Sequence, residues 1–340
     1  YDRSHMRLPE CQNRLISEIL KVQPNTVIVL HNGSPVEMPW LNDIKGLLEA
    51  YLGGQAGGTA VANILYGKVN PSGKLAETMP LKLSDNPSYL NFGGGEKVEY
   101  REGVFVGYRY YDTKEMDVAY PFGYGLSYTT FACSDLKISN ENPTDKDTIT
   151  VSVDVTNTGN MAGKEVVQLY VKDCTNSTIR PEKELKNFEK IALEPGETKT
   201  VIMELDKRSF AWYNTDLNNW FAASGDYQIL VGASSRDIRL VGTIHLNSSQ
   251  QLPMHIHMNT TLGELFRDPR TNEFAKELTS KYLSSMNGGE KSASEAATEA
   301  ISEKMVLAMT DSMPLRALMS FGDFSREEIS DIIEKLNKLL

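Results

Sequence analysis

The chain has no run of about twenty apolar residues, so no transmembrane helix is expected. Positive charge is also short: 35 Lys and Arg stand against 45 Asp and Glu, a formal net charge of −10. Nucleic acid and anionic membrane surfaces call for a basic face, and this balance argues against both as partners. Cysteine is scarce. Cys11, Cys133 and Cys174 are odd in number and far apart, form no CxxC pair and lack the spacing of zinc ligands, so free thiols in a reducing compartment and a cytoplasmic location are expected. No Gly-Lys-Ser/Thr follows the glycine cluster at residues 53–58, which argues against a phosphate cradle. No Gly-x-Ser-x-Gly elbow frames Ser34, so a serine nucleophile is not expected there. His255 and His257 have no third ligand beside them, and neither metal nor cofactor is expected.

What remains is ordinary globular material. The 340 residues, 40% hydrophobic and 24% charged, leave room for two or three domains. Leu8-Pro9-Glu10 opens a helical pattern with Leu15, Ile19 and Leu20 on one face. Thr26-Val27-Ile28-Val29-Leu30 reads as a parallel strand buried on both sides. His31-Asn32-Gly33-Ser34-Pro35 then turns the chain at the strand's carboxyl end, where ligands of open α/β sheets gather. Residues 40–52 read as strand, helix and strand. A loop at 53–58, a helix with Val61, Ile64 and Leu65 in step, and the turn Asn70-Pro71-Ser72-Gly73 follow. Residues 82–95 form a loop that could rim a cleft, and residues 100–112 are the most aromatic window. After Phe131 the period becomes two. Residues 148–155, 166–171, 200–205 and 225–232 read as strands joined by turns at Asn157-Thr158-Gly159 and Pro195-Gly196, which argues a β-sandwich. Leu185, Phe188, Phe210, Trp212 and Trp220 are assigned to its core or interface. Beyond Asn247 helices are expected over 261–265, 272–282, 294–309 and 325–340, the last opened by the capping box Ser325-Arg326-Glu327-Glu328. Met305, Met309, Met313 and Met319 suit docking of this tail on a neighbouring domain.

Several of these stretches carry a resemblance. Residues 53–58, Asn70-Pro71-Ser72-Gly73-Lys74-Leu75, Thr78-Met79-Pro80, the window 100–112, residues 120–131 and Tyr1-Asp2-Arg3 are similar to the C-terminal half of family 3 glycoside hydrolases, the β-glucosidase group. The tail is similar to that of some bacterial members. The resemblance implies an α/β plus all-β chain: part of an α/β sandwich domain with a mostly parallel sheet over 1–130, a fibronectin type III-like β-sandwich over 131–248, and a helical tail over 249–340. It also implies a retaining β-glycosidase as the parent protein, working on a β-glucoside or oligosaccharide with two carboxyl groups about 5.5 Å apart.

In that family the nucleophile is an Asp on an N-terminal TIM barrel, which needs roughly 250 residues where only about 130 precede the sandwich. The acid/base is a Glu in a Gly-Glu-Gly directly before a Tyr-Asp-Arg such as Tyr1-Asp2-Arg3. The resemblance therefore places no catalytic residue in this chain. Asp2 and Arg3 would flank the site, while Trp40, Glu102, Tyr108 and Tyr110 are candidates for sugar or interdomain contact. Exposed apolar surface is expected near Tyr1, Trp40 and residues 108–111, where the barrel of the same protein would pack. Glu37, Glu49, Glu77, Glu99 and Glu102 are expected to lack a partner across a sugar, so the chain alone should not hydrolyse glycosides. Two other readings stay open: a non-catalytic carbohydrate-binding or adhesion protein, and a nucleotide-binding α/β protein with a sandwich attached.

Overall fold

The computed structural model describes residues 4–93, 95–286, 308, 310–321 and 324–340. Tyr1, Asp2, Arg3 and, but for residue 308, the helix expected over 294–309 with Met305 and Met309 lie outside the described residues. The chain forms two compact units, Tyr1–Gln250 and Gln251–Leu340.

In the first unit, helix α1 (Glu10–Val22) lays Ile16 and Leu20 against a core of Leu30, Val36, Met38, Trp40 and Met79. Of the apolar face expected from Leu15, Ile19 and Leu20, Leu20 packs on the core while Leu15 and Ile19 are exposed. Leu15/Ile19 and Ile16/Leu20 have the same i, i+4 spacing, so periodicity alone cannot choose between them. Strands β1 (Val27–Leu30) and β2 (Gly46–Glu49) pair in parallel, from Val27 opposite Gly46 to Leu30 opposite Glu49. Residues 40–43 are a turn instead of the expected strand and helix. Trp40 is drawn into the core, where its indole N–H donates to Asn13 Oδ1 at 2.9 Å, and β2 is the single strand of the segment. Helix α2 (Gly57–Leu65) follows, then β3 (Met79–Pro80), helix α3 (Tyr108–Thr113) and β4 (Val118–Tyr120), with β3 and β4 antiparallel.

The sandwich packs two antiparallel sheets. One has the order β5 (Phe131–Ile138), β6 (Ile149–Asn157), β9 (Thr198–Leu205). The other runs β13 (Ile238–Leu246), β12 (Gly225–Gly232), β7 (Gly163–Asp173), β8 (Glu184–Leu193). Alternation sorts the side chains: Ile149, Val151, Val153 and Val155 of β6 are all buried, facing Val167, Leu169, Tyr227 and Ile229 in one core. Phe210 closes that core from the short helix α4 (Lys207–Phe210), and Trp220 packs on it from the hairpin β10 (Trp212–Asn214) and β11 (Asn219–Phe221). Phe188 does not belong to it. It stands on the outer face of the edge strand β8 and is 60% exposed.

The second unit has its own core. Ile256, Leu262, Leu265, Ala275, Leu278, Leu315, Leu318, Ile329 and Leu336 are buried together, with Met254, Met258 and Met313 packed around them. They come from α5 (Leu262–Arg267), α6 (Asn272–Met286), α7 (Leu318–Phe321), α8 (Arg326–Leu339) and their connections. Reciprocal capping boxes fix two helix starts, Thr261 with Glu264 and Ser325 with Glu328.

Within the first unit, α3 is tied to the sandwich through ion pairs and aromatic contacts. The Tyr108 hydroxyl accepts the Leu185 N–H at 2.7 Å, and its ring stacks on Phe122 at 4.6 Å. Arg109 pairs with Glu184 at 3.4 Å, and Glu184 also meets Arg180 and, at 3.3 Å, Lys186. Asp112 meets Arg236 at 2.7 Å and Lys183 at 3.7 Å. Burial by itself would raise the Glu184 carboxyl, but Lys186, Arg180 and Arg109 outweigh it and hold the group below its ordinary range. Burial pushes the Lys186 ammonium down, with repulsion from Arg180 and Arg109 added, against the attraction of Glu184.

Glu184→Gln leaves these cations without their shared counter-charge and should cost about 3 kcal/mol of stability, read from thermal or urea melts. The depressed carboxyl stabilises the fold fully above the unfolded value of about 4.3 and loses that contribution as pH falls through the lower folded value. The gap between the melting midpoints of wild type and variant should therefore close in acid. In the second unit, Ser325→Ala removes the cap of α8 and should cost about 1 kcal/mol, seen as lowered helicity and earlier melting.

Candidate functional site

The carboxyl ends of β1 and β2 bring polar side chains together. The parallel register sets Leu30 beside Glu49, and the Ala50 N–H donates to the Leu30 carbonyl at 2.9 Å, so His31 and Asn32 leave β1 next to where Tyr51 leaves β2. Tyr51 has φ 45°, a left-handed backbone that a bulky side chain adopts at a cost of about 1–3 kcal/mol. Glu49 holds it there: Oε1 accepts the Tyr51 N–H at 2.9 Å. The Tyr51 hydroxyl reaches on to Glu77 Oε1 at 3.2 Å. Asn32 Nδ2 donates to the Ser34 carbonyl at 2.8 Å. Glu49 Oε2 and Asn32 Oδ1 are buried with no hydrogen-bond partner.

Both carboxyl groups are pushed the same way. Burial raises Glu49, with a smaller push from Glu77, against the Tyr51 N–H, Asn32 and His31. Burial raises Glu77 as well, against its bond from Tyr51. The Tyr51 phenol is raised by burial and then by the two carboxylates. Beside the group lies a cavity of about 540 Å³, walled by His31, Glu49, the glycine loop, Ala60, Val61 and Ile64. The loop is tight at one point: a Cβ on Gly53 would sit 3.3 Å from the Gly57 Cα, so a side chain there would press on backbone. The arrangement can store protons and offer hydrogen bonds to hydroxyl groups. Among the described residues, no cluster of three or more His, Cys, Asp or Glu could hold a metal ion.

The residues singled out from the sequence are dispersed. Trp40 is only 3% exposed and its N–H is satisfied, so it is a core residue with no face to offer a sugar. Tyr108 sits in the seam with the sandwich. Tyr110 is half-buried, edge-on to Tyr111 at 5.5 Å and under the Lys114 ammonium. Glu102 lies half-buried in the turn before α3, and its backbone carbonyl accepts the Phe105 N–H. Asp2 and Arg3 lie outside the described residues. Glu37 is committed to the Leu83 N–H and Glu99 to Arg101. Trp40 and Tyr111 are buried, whereas Val104 and Val106 just before the 108–111 window are exposed, as are Leu52, Tyr66, Leu90, Phe92, Val98 and Tyr100. The strand-end rule that pointed to His31 would also have pointed to Glu49 and Tyr51, had β2 been placed correctly.

Comparison with known proteins gives these features a setting. The Glycosyl hydrolase family 3 C-terminal domain matches residues 1–128, and the Fibronectin type III-like domain matches residues 165–235. Thermostable beta-glucosidase B of Acetivibrio thermocellus is 49% identical over 346 residues, covering 100% of this chain and 44% of its own length. A beta-glucosidase of Kluyveromyces marxianus is 51% identical over 241 residues, 70% of this chain and 28% of its own. Among solved structures, the GH3 beta-glucosidase of Bifidobacterium adolescentis aligns with a TM-score of 0.75 at 42% identity, over 81% of this chain and 40% of that one. The Kluyveromyces marxianus beta-glucosidase in complex with glucose aligns with a TM-score of 0.69 at 48% identity, over 73% and 30%. The chain thus spans less than half the length of these relatives. With both domain types matched in order along it, the chain belongs to glycoside hydrolase family 3, of which it carries the C-terminal domain and the fibronectin type III-like domain.

Proposed function

We propose that this chain is the C-terminal region of a retaining β-glucosidase that releases terminal β-D-glucosyl groups from β-glucosides or oligosaccharides in cytoplasmic carbohydrate metabolism. The observation that carries the reading is 49% identity along the whole chain to a thermostable β-glucosidase more than twice as long. Retention requires one ionised carboxylate as nucleophile and one protonated carboxyl as acid, which environments must drive apart. Glu49 and Glu77 are instead driven together towards the neutral form, and Glu37 and Glu99 are committed to a backbone N–H and to Arg101. The nucleophilic Asp and the acid/base Glu are proposed to lie outside this chain, on the barrel and on the segment leading into Tyr1, as the family resemblance implies. The partner of these residues is that barrel, and their task is to present and support the α/β side of the cleft.

The purified chain is expected to release no phenol from an aryl β-glucoside above the uncatalysed rate, and activity should return when a separately produced barrel half carrying the acid/base segment is added. Turnover by the chain alone would place an active site within these residues and overturn the proposal.

A further inference from the structure

We infer that the outer face of the β10–β11 hairpin is a binding site for an acidic oligosaccharide, with Arg208 taking the carboxylate of a uronic acid and Tyr213 covering a neighbouring sugar ring. The inference starts from a cation without an anion. Arg208 stands exposed on α4, its guanidinium lies over the Trp220 ring at 3.5 Å from the centroid, and among the described residues no carboxylate pairs with it. Its neighbour Lys207 does have a counter-charge, in Asp145 at 3.7 Å. A guanidinium stacked on an indole keeps its N–H groups at the rim of its plane, so the stack orients the fork without using its donors. Trp220 is itself held: it packs on the sandwich core, and its carbonyl accepts from Gln250 Nε2 at 3.3 Å. The carboxylates closest in sequence are placed otherwise. Asp206 caps α4 through the Ser209 N–H, and Asp216 lies in the hairpin turn.

A second ring extends the surface. Tyr213 sits opposite Trp220 across the hairpin, edge-on with 5.7 Å between ring centroids, and is 47% exposed. Strand alternation puts these two on one face, while Trp212 and Phe221 pack together on the other. The Tyr213 hydroxyl donates to Asn218 Oδ1, which leaves Asn218 Nδ2 as a donor beside the ring. Asn214 Oδ1 accepts the Asp216 and Leu217 N–H groups at 3.0 and 2.9 Å, so the turn that carries Asn218 is fixed. The face thus offers donors, one positive charge and one aromatic surface, which match a carboxylate, hydroxyl groups and the C–H side of a pyranose. An acidic peptide brings the carboxylate without that C–H side, and a neutral sugar brings the reverse. Nucleic acid and other polyanions are opposed by the net charge of −10. The site stands whether or not the chain serves a β-glucosidase.

The probe is a disaccharide of glucuronic acid and xylose, titrated into the full chain by calorimetry, with xylobiose and a Glu-Glu dipeptide as controls. The acidic disaccharide should bind with a Kd of about 1 mM or tighter, and both controls should bind at least about tenfold more weakly. Arg208→Gln should weaken the acid about tenfold or more, because hydrogen bonds to a charged partner are lost. Arg208→Lys should recover only part of this, since an ammonium is a point charge without the fork. Tyr213→Ala should cost about fivefold. Both side chains are exposed, so melting midpoints within about 2 °C of wild type will show that the fold is kept in these variants. Salt at about 0.5 M should weaken binding of the acid and leave xylobiose unchanged. No heat from the acidic disaccharide at about 10 mM would overturn the inference and leave Arg208 a packing residue. Equal binding of xylobiose would overturn it by removing the charge from recognition, and equal binding of the dipeptide by removing the sugar ring. Unchanged affinity in Arg208→Gln and Tyr213→Ala would do the same by placing the site elsewhere.

Discussion

The carboxylate of Glu184 is the interaction on which the first unit depends. Helix α3 is six residues long and cannot sustain itself in isolation. It is held by what lies on its surface. Arg109 and Asp112, three residues apart and so on neighbouring positions of one face, present opposite charges to the sandwich. Arg109 meets Glu184 while Asp112 meets Arg236 and Lys183, so each charge finds its complement at one register only. Tyr108 fills the remaining contact with its ring on Phe122 and its hydroxyl on the Leu185 N–H. Tyr108 of the aromatic window is thereby engaged in joining two domains, and the ring face it lays on Phe122 is not open to a pyranose. Lys74 with Glu165, and Asn70 with Ser127 and Tyr128, extend the same seam along the turn after α2.

How much of this could be read from residue order depends on how local the deciding contact is. The β6 strand was legible because each of Ile149, Val151, Val153 and Val155 meets the same inner face, and a period of two survives any change of partner. Capping at Ser325 and Glu328 was legible because both members lie within one turn. The segment 40–52 was not, since its conformation is settled by Trp40 burying itself against Asn13, 27 residues earlier. The face of α1 turned on a choice between two stripes of equal spacing. Of the two places assigned to Phe188, core or interface, the structure excludes the core, because an apolar residue on an edge strand looks the same in sequence whichever way it points. Glu77 left no local trace, since its bond from Tyr51 spans 26 residues, and no motif announces a left-handed tyrosine; Glu49 and Tyr51 were reachable only through the end of β2.

The site and the family reading bear on each other through charge. A retaining glycosidase divides labour between two carboxyl groups, and the division is made by surroundings that lower one and raise the other. At the carboxyl ends of β1 and β2 the surroundings do not differ in direction. Both groups are partly withdrawn from water, and neither Glu49 nor Glu77 has a cation beside it comparable with those around Glu184. The contrast between the two places is instructive. Glu184 is more deeply buried than either, yet it is driven towards the ionised form because three cations close on it. Burial alone therefore does not set the direction at Glu184, where the three cations outweigh it. An ionised nucleophile at Glu49 would need a counter-charge that the walls of the cavity, glycine, alanine, leucine, valine, isoleucine and Gln55 beside one exposed imidazole, do not provide.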